Sequence, residues 1–276
     1  MTAAPKPLAA KTADNDEQQP WQWSEAKWRA VSGKIRPGRA LRPKAWKDGA
    51  RAGIPRIMKL LAKHSVPASF FTPAVVAMLY PDEQKRAVDL GHEIGIHGWI
   101  HELNSVLPGE IERDLMFRSC DTLEKITGIR PVGIRTPSWD FSPNTLQIIR
   151  DLGLLYDSSL MADDDAYELN EDGKPTGVVE LPPEWIRDDA VYFNMHRFTG
   201  LRPYTPPSAV LEIFTKEFDV AYEEGGMYIL TMHPHIIGHR SRLTLLDELI
   251  QHMKTKKGVW FATHADIAKY ALEHAA

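Results

Sequence analysis

Two histidines, His97 and His101, lie four residues apart, just after a short apolar run that contains Ile94 and Ile96. Gly98 follows the first histidine and allows the chain to turn. Imidazoles at this spacing, in a turn or on one helical face, can point at a single ion, and imidazole is a common zinc ligand. The same spacing is also found on ordinary surface helices, so the pair alone does not establish a metal site.

A second group of histidines, which includes His233, His235 and His239, follows the apolar run Tyr228–Met232. Six of the eleven histidines of the chain fall in residues 92–101 and 233–239. A random scatter would seldom concentrate them in this way. The two clusters together therefore indicate a functional site more strongly than either cluster does alone.

Three more polar or aromatic residues come directly after predicted strands. Arg135 ends a brief strand and Trp139 follows it, although an arginine at a strand end commonly forms only a surface ion pair. Asp157 begins an Asp-Ser-Ser sequence, for which hydrogen bonding within the loop and a catalytic role are both reasonable interpretations. The candidate residues thus recur where strands end.

Strands and helices alternate along most of the chain, which favours parallel strands joined by helical crossovers. In a β/α barrel the carboxyl ends of the strands share one face, where active sites are built. Asp163–Gly177 is predicted to be a turn-rich excursion and Asp188–Tyr204 an irregular lid or rim. The predicted strands after the first helix include Ala68–Thr72, Gly133–Arg135, Leu154–Tyr156, Val178–Leu181, Tyr228–Met232 and Val259–Ala262.

The composition is that of a globular protein, with 43% hydrophobic and 25% charged residues in 276. A net charge of −4 gives no reason to expect nucleic acid or an acidic membrane as a partner. Cys120 is the single cysteine, so no internal disulfide can form. No apolar run has the length of a membrane span, and Met1–Gln19 lacks the apolar segment of a signal peptide. A cytoplasmic location is expected.

The amino-terminal region differs in composition from the rest. Residues 1–20 are predicted to be a disordered tail, and residues 21–52 a tryptophan-rich and basic arm before a domain at 53–276. The tryptophans of the arm are expected to pack on the domain or on a neighbouring subunit rather than to bind a ligand. This expectation is one reason to predict a homo-oligomer.

Four motifs resemble one known family. His-x-x-x-His at 97–101, Arg-Thr-Pro-Ser-Trp at 135–139, Tyr-Asp-Ser-Ser at 156–159 and Leu-Thr-Met-His-Pro-His at 230–235 occur in the order found in the polysaccharide deacetylase (NodB-homology, carbohydrate esterase 4) superfamily. The chain is most similar to the branch that includes allantoinase-like, cyclic-imidase-like and peptidoglycan-deacetylase-like proteins. The resemblance implies an α/β fold with a distorted (β/α)7-type barrel, and hydrolysis of a non-peptide carbon–nitrogen bond with zinc.

The resemblance also implies roles for individual residues. His97 and His101 would hold the zinc, His233 would act as the general acid, and Arg135 would orient the base. Further side chains are expected to contact the substrate, a sugar amide or another small amide; these are Trp139, Asp157, His235 and Trp99.

The first family motif, a strand that ends in an aspartate pair, is absent. Only 3 residues separate Ala50 from Ile54, whereas a strand usually needs about five. The barrel is therefore expected to lack or replace its first strand, and the zinc site to lack its third protein ligand. Asp48 is the candidate stand-in as catalytic base.

Three functions follow from this departure. The first is a metal-dependent hydrolase of an acetamido sugar or of a small amide, imide or ureide. The second is a catalytically impaired relative, or a truncated isoform, that binds substrate without turnover. The third is a metal-free hydrolase of the allantoinase-like type, in which His97, His101 and His233 bind substrate directly.

Overall fold

The computed structural model of the protein describes residues 49–194 and 205–274. Within them, six strands form one sheet in the order β1-β2-β3-β4-β6-β5. The strands are β1 Ser69–Thr72, β2 Glu93–Ile96, β3 Gly133–Ile134, β4 Tyr156–Asp157, β5 Tyr167–Glu171 and β6 Lys174–Glu180. A π-helical turn at Gly49–Gly53 leads directly into the first α-helix.

The helices connect the strands and cover the sheet. They are α1 Ile54–His64, α2 Ala74–Leu79, α3 Pro81–Asp89, α4 Gly109–Thr127, α5 Thr145–Asp151, α6 Asp189–Phe193, α7 Pro207–Glu224, α8 Arg240–Lys254 and α9 His264–His274. None of the helices in these described ranges is long and apolar enough to cross a membrane.

Strands β1, β2, β3, β4 and β6 pair in parallel, and β5 pairs antiparallel to β6. The predicted α/β class with parallel strands is therefore confirmed. In the register, Ile96 lies opposite Ile134, which lies opposite Asp157. Because parallel strands end at the same edge, His97 and Arg135 both emerge one residue beyond this row.

Among the described residues, β1 is the outermost strand on one side of the sheet. Two expectations about strands were wrong. The excursion Asp163–Gly177 contains β5 and the start of β6, which form a hairpin. Tyr228–Met232 and Val259–Ala262 do not form ladder strands in the described part of the chain, although Thr231 makes an isolated parallel bridge to Asp188. A segment needs a paired neighbour to form a ladder, whatever its apolar content.

Helix α1 shows how the helices attach to the core. Its apolar residues Ile57, Leu60 and Leu61 are buried in a cluster with residues of α7 and α8. Burial of such a side chain contributes roughly 1.5–3 kcal/mol. The start of α1 is packed tightly as well, because a Cβ atom at Gly53 would lie 2.0 Å from the carbonyl oxygen of Pro234. The amino end of α1 is thus held against the loop that carries His233.

Candidate active site

The two histidines of the first motif lie side by side at the end of β2. Their ring centroids are 4.9 Å apart at an interplanar angle of 79°. The Nδ1 atom of His97 lies 2.6 Å from the carbonyl oxygen of Arg135. A carbonyl can only accept, so Nδ1 carries the hydrogen and the lone pair of His97 is on Nε2.

Both imidazoles are neutral at pH 7. Burial lowers the pKa of His97 to about 3, and the nearby ionisable side chains of His101, Arg135 and His233 lower it further, because a second positive charge beside them is unfavourable. Burial is also the main reason that the pKa of His101 is lowered, again with a contribution from His233. These mutual effects place His97, His101, Arg135 and His233 in one site.

Arg135 is buried beneath this site and is 6% exposed. Its guanidinium donates to the carbonyl oxygen and hydroxyl of Ser158, at 3.0 and 2.7 Å, and to the hydroxyl of Thr231 at 3.1 Å. It also contacts Nε2 of His264 at 3.2 Å and lies over the ring of Phe71. Burial lowers the pKa of Arg135 to about 10. Its hydrogen-bond partners among the described residues are thus neutral groups.

His233 is paired with a buried carboxylate. Its Nδ1 lies 2.7 Å from Oδ1 of Asp189, and its backbone N–H donates to both oxygens of the same carboxylate at 3.1 Å. Burial lowers the pKa of His233, but the hydrogen bond and charge of Asp189 outweigh it, so that the net shift is upward. This Asp189–His233 dyad can hold a proton on the imidazole near neutral pH.

Local structure fixes the carboxylate of the dyad. Asp188 caps helix α6 by accepting the backbone N–H of Ala190 at 2.6 Å. Asp189, which is 0% exposed, donates its own backbone N–H to the carbonyl oxygen of Thr231. The isolated bridge between Asp188 and Thr231 therefore aligns the segment that carries Asp189 with the segment that carries His233.

Asp188, Asp189 and His233 also offer one ligand atom each within 4.8 Å of one another. However, Asp189 already accepts three contacts from His233 and Asp188 one from Ala190. These hydrogen bonds take up part of the accepting capacity of the two carboxylates. The observed arrangement is that of a hydrogen-bonded dyad.

Other predicted residues are placed around the site. His235 packs against His233, with ring centroids 5.8 Å apart. Trp139 is partly buried and contacts Trp185 at a centroid distance of 4.3 Å. The candidate base Asp48 lies outside the described residues.

The predicted substrate contacts of Trp99 and Asp157 are not supported by the structure. Trp99 is 1% exposed and its indole is covered by the guanidinium of Arg118. Asp157 is 0% exposed and accepts the backbone N–H and the hydroxyl of Ser159, each at 2.9 Å. Both side chains therefore stabilise loops instead of facing the site.

Asp157 also lies beside a second buried acid, Glu180, which is its partner in the register of β4 and β6. Burial and the charge of Asp157 raise the pKa of Glu180 to about 11, so the pair retains one proton at neutral pH. Through Ser159, whose hydroxyl accepts the backbone N–H of Thr136, this pair supports the loop that follows Arg135.

Sequence reasoning missed several residues of this site, above all Asp189, Glu180 and His264. The signal for Asp189 was the Asp-Asp doublet at 188–189, but it lies in a segment predicted to be irregular. Its pairing with a histidine 44 residues away has no local signature.

The sequence and the fold are similar to those of known proteins. The family model described as polysaccharide deacetylase matches residues 45–156. The peptidoglycan deacetylase-like protein FGM2 of Gibberella zeae is 32% identical, and the alignment covers 79% of this chain and 75% of the relative. The chain belongs to the polysaccharide deacetylase family.

Other members of the family and their relatives are similar over most of their length. The peptidoglycan deacetylase of Helicobacter pylori is 28% identical, with 78% of this chain and 82% of the relative covered. A solved structure from Mycobacterium smegmatis, described as a polysaccharide deacetylase, is 32% identical with a TM-score of 0.78. The match covers 83% of this chain and 80% of that one. The solved structure of Puue allantoinase is 30% identical with a TM-score of 0.74, and the match covers 84% of this chain and 76% of that one.

Proposed function

We propose that the protein hydrolyses the amide bond of an acetamido sugar or of a related small amide. The observation that carries this proposal is the pairing of the buried Asp189 with the half-buried His233, beside the two neutral imidazoles of His97 and His101. Amide hydrolysis requires a proton for the departing nitrogen, and a histidine with a raised pKa can provide it.

In this proposal each residue of the dyad has a defined task. Asp189 accepts the Nδ1 hydrogen and stabilises the protonated form of His233, so that Nε2 can donate a proton to the leaving nitrogen. Arg135 fixes the loop after β4 through Ser158 and, through its carbonyl oxygen, fixes the tautomer of His97. The chain therefore contributes a proton donor and an ordered pair of imidazoles.

His97 and His101 fit the role of zinc ligands. The Nδ1 hydrogen bond of His97 to a backbone carbonyl is the outer-shell contact expected of a metal-ligating histidine, and it leaves Nε2 free to bind. Zinc bound there would act as a Lewis acid and lower the pKa of a bound water. The cluster of possible ligands in the described ranges consists of Asp188, Asp189 and His233, and does not include His97 or His101. The candidate third ligand of a zinc ion at His97 and His101 is therefore Asp48, which lies outside the described residues.

The test is an assay of purified protein with added zinc against N-acetylglucosamine oligomers, cyclic imides and ureides. Release of acetate from the oligomers, or opening of the imide or ureide ring, is expected for at least one class, and His233→Ala is expected to lower the rate about 100-fold or more. Activity that survives thorough chelation would favour the metal-free alternative. A failure of every class, with and without zinc, would refute hydrolysis.

A second candidate function is binding without turnover, favoured by the neutral hydrogen-bond partners of Arg135 among the described residues. The test inserts the strand and loop of an active relative between Ala50 and Gly53. Turnover that appears only after insertion, with substrate affinity within a few-fold of the parent, would support this function. Turnover by the unmodified chain would exclude it.

A further inference from the structure

The loop between His97 and His101 is held by the carboxylate of Glu102, which accepts hydrogen bonds from the backbone of the loop. Glu102 is 8% exposed. Its Oε1 accepts the backbone N–H of Trp99 at 2.8 Å, and its Oε2 accepts the backbone N–H of Ile100 at 2.7 Å. Hydrogen bonds to a charged acceptor are about twice as strong as those between neutral groups.

The opposite side of the same loop is held by helix α2. The backbone N–H of Ala74 donates to the carbonyl oxygen of Gly98 at 3.1 Å, and that of Val75 donates to the carbonyl oxygen of Trp99 at 3.0 Å. The first amides of a helix have no partner within the helix, so this loop satisfies them. Four hydrogen bonds therefore fix the peptide units between the histidines.

The loop needs this support because it contains unfavourable backbone conformations. His101 has φ +75°, in the left-handed region that a non-glycine residue rarely adopts. Gly98 has φ +69°, and a Cβ atom there would lie 2.9 Å from Cγ of Pro137 and 3.1 Å from Oε1 of Glu102. Strained residues persist only where their surroundings over-determine them.

We propose that Glu102 is a positioning residue that sets the separation of the His97 and His101 imidazoles. It acts on the backbone of Trp99 and Ile100, and so keeps His101 in the conformation that brings its ring beside His97. The part of the proposal that concerns zinc rests on the proposed function. The part that concerns ring separation does not.

The test compares Glu102→Gln with a matched control, Glu112→Gln. Glu112 is also a buried acid, 1% exposed, and it also accepts two hydrogen bonds, from the hydroxyls of Ser142 and Thr145. A glutamine at 102 keeps one acceptor but directs its NH₂ group at the second backbone N–H. At 112 it leaves the histidine loop unchanged.

Two measurements on the full chain decide the outcome. The first is the proton–proton NOE between the rings of His97 and His101, which is expected to disappear in E102Q and to persist in E112Q. The second is the affinity for Zn²⁺ alone, measured by competition with a chromophoric chelator. E102Q is expected to weaken it 10- to 100-fold, as loss of an outer-shell contact does. In a His101→Ala background, E102Q should weaken it no further.

An unchanged ring NOE in a folded E102Q variant would overturn the proposal, as would equal effects of E102Q and E112Q on zinc affinity. If E102Q does not fold, Glu102→Asp serves instead, because it keeps the charge but withdraws the carboxylate by one methylene, and a weakened NOE is expected. A parent protein that binds no zinc would contradict the metal part of the proposed function. The NOE would still decide the role of Glu102.

Discussion

At the scale of single residues, the surroundings give chemically identical side chains opposite properties. Burial lowers the pKa of His97 to about 3, whereas Asp189 raises that of His233 in spite of burial. In the proposed function His97 would serve as a neutral ligand and His233 as a proton donor, so that one site would divide the work of hydrolysis.

The dyad predicts a specific change in pH dependence. In Asp189→Asn the carboxylate that raises the pKa of His233 is gone while burial, which lowers it, remains. A general acid must be protonated, so activity that falls as pH rises through the pKa of His233 should fall at a lower pH in this variant. The pH–rate profile and an NMR titration of His233 measure the shift. An unchanged titration would show that Asp189 does not set this pKa.

His97 should remain neutral and in a single tautomer. Its Nδ1 hydrogen bond to Arg135 and its low pKa predict the Nδ1–H form from pH 7 down to about pH 4. Nitrogen chemical shifts of the imidazole distinguish the two tautomers and the protonated ring. Protonation of His97 in the folded protein near pH 6 would contradict this prediction. The acid-unfolded protein supplies the reference shifts of the protonated ring.

The sequence predicted His97, His101, Arg135 and His233 because each lies in a motif at or after an apolar run. It could not predict Asp189, which reaches His233 only through tertiary packing, nor the burial of Trp99. An indole beside two histidines looks like a substrate contact in the sequence. The side of the loop on which it lies is decided by Glu102 and by helix α2.

At the scale of elements, the register of short strands aligns the site. Strands β3 and β4 have only two residues each, yet their parallel pairing fixes where each strand ends. Arg135 therefore follows β3 at the same edge of the sheet at which Asp157 ends β4. The alternation of helices and strands was predictable from periodicity. The hairpin of β5 and β6 was not, since Asp163–Gly177 is rich in acids and turn residues that usually indicate a loop.

The close contact between Gly53 and the loop that carries His233 predicts that an added methyl group at residue 53 lowers the stability of the protein. Gly53→Ala places a Cβ atom 2.0 Å from the carbonyl oxygen of Pro234, so the loop or the helix must move. We expect a loss of about 3 kcal/mol in the free energy of unfolding, measured by urea denaturation, and a lower affinity or rate at the site.

Gly49→Ala is the matched control for this substitution. Its Cβ atom would meet the backbone nitrogen of His235 at 3.5 Å, an ordinary contact in the same π-helical turn. A change within about 0.5 kcal/mol is expected. Equal losses in the two variants would show that the tight contact at Gly53 is not what holds the loop.

At the scale of the whole molecule, the described residues keep the α/β class with a parallel sheet, and β1 is the outermost of their strands on one side. The α/β class was predictable, because the alternation of strands and helices is visible in the sequence. The fate of the carboxyl-terminal strands was not predictable. Tyr228–Met232 and Val259–Ala262 have the composition of strands, but whether they pair depends on neighbours elsewhere in the chain. The homo-oligomer stays a prediction.

The buried acid pair predicts how the stability of the molecule depends on pH. The pKa of Glu180 is about 11 in the folded protein, against an ordinary value of 4.5, so the folded chain holds a proton that the unfolded chain releases. The stability that this group contributes is fully present below about pH 4.5 and declines as pH rises towards 11, by at most about 1.4 kcal/mol per pH unit.

Glu180→Gln mimics the protonated acid and can still donate to Asp157 and accept from Ser159. Urea denaturation between pH 5 and 9 should therefore show a flatter pH dependence for this variant, which becomes the more stable protein as pH rises. Glu171→Gln, an exposed acid on the same hairpin, should leave the slope unchanged. Parallel curves for Glu180→Gln and the parent would mean that the pair is ionised in the folded state.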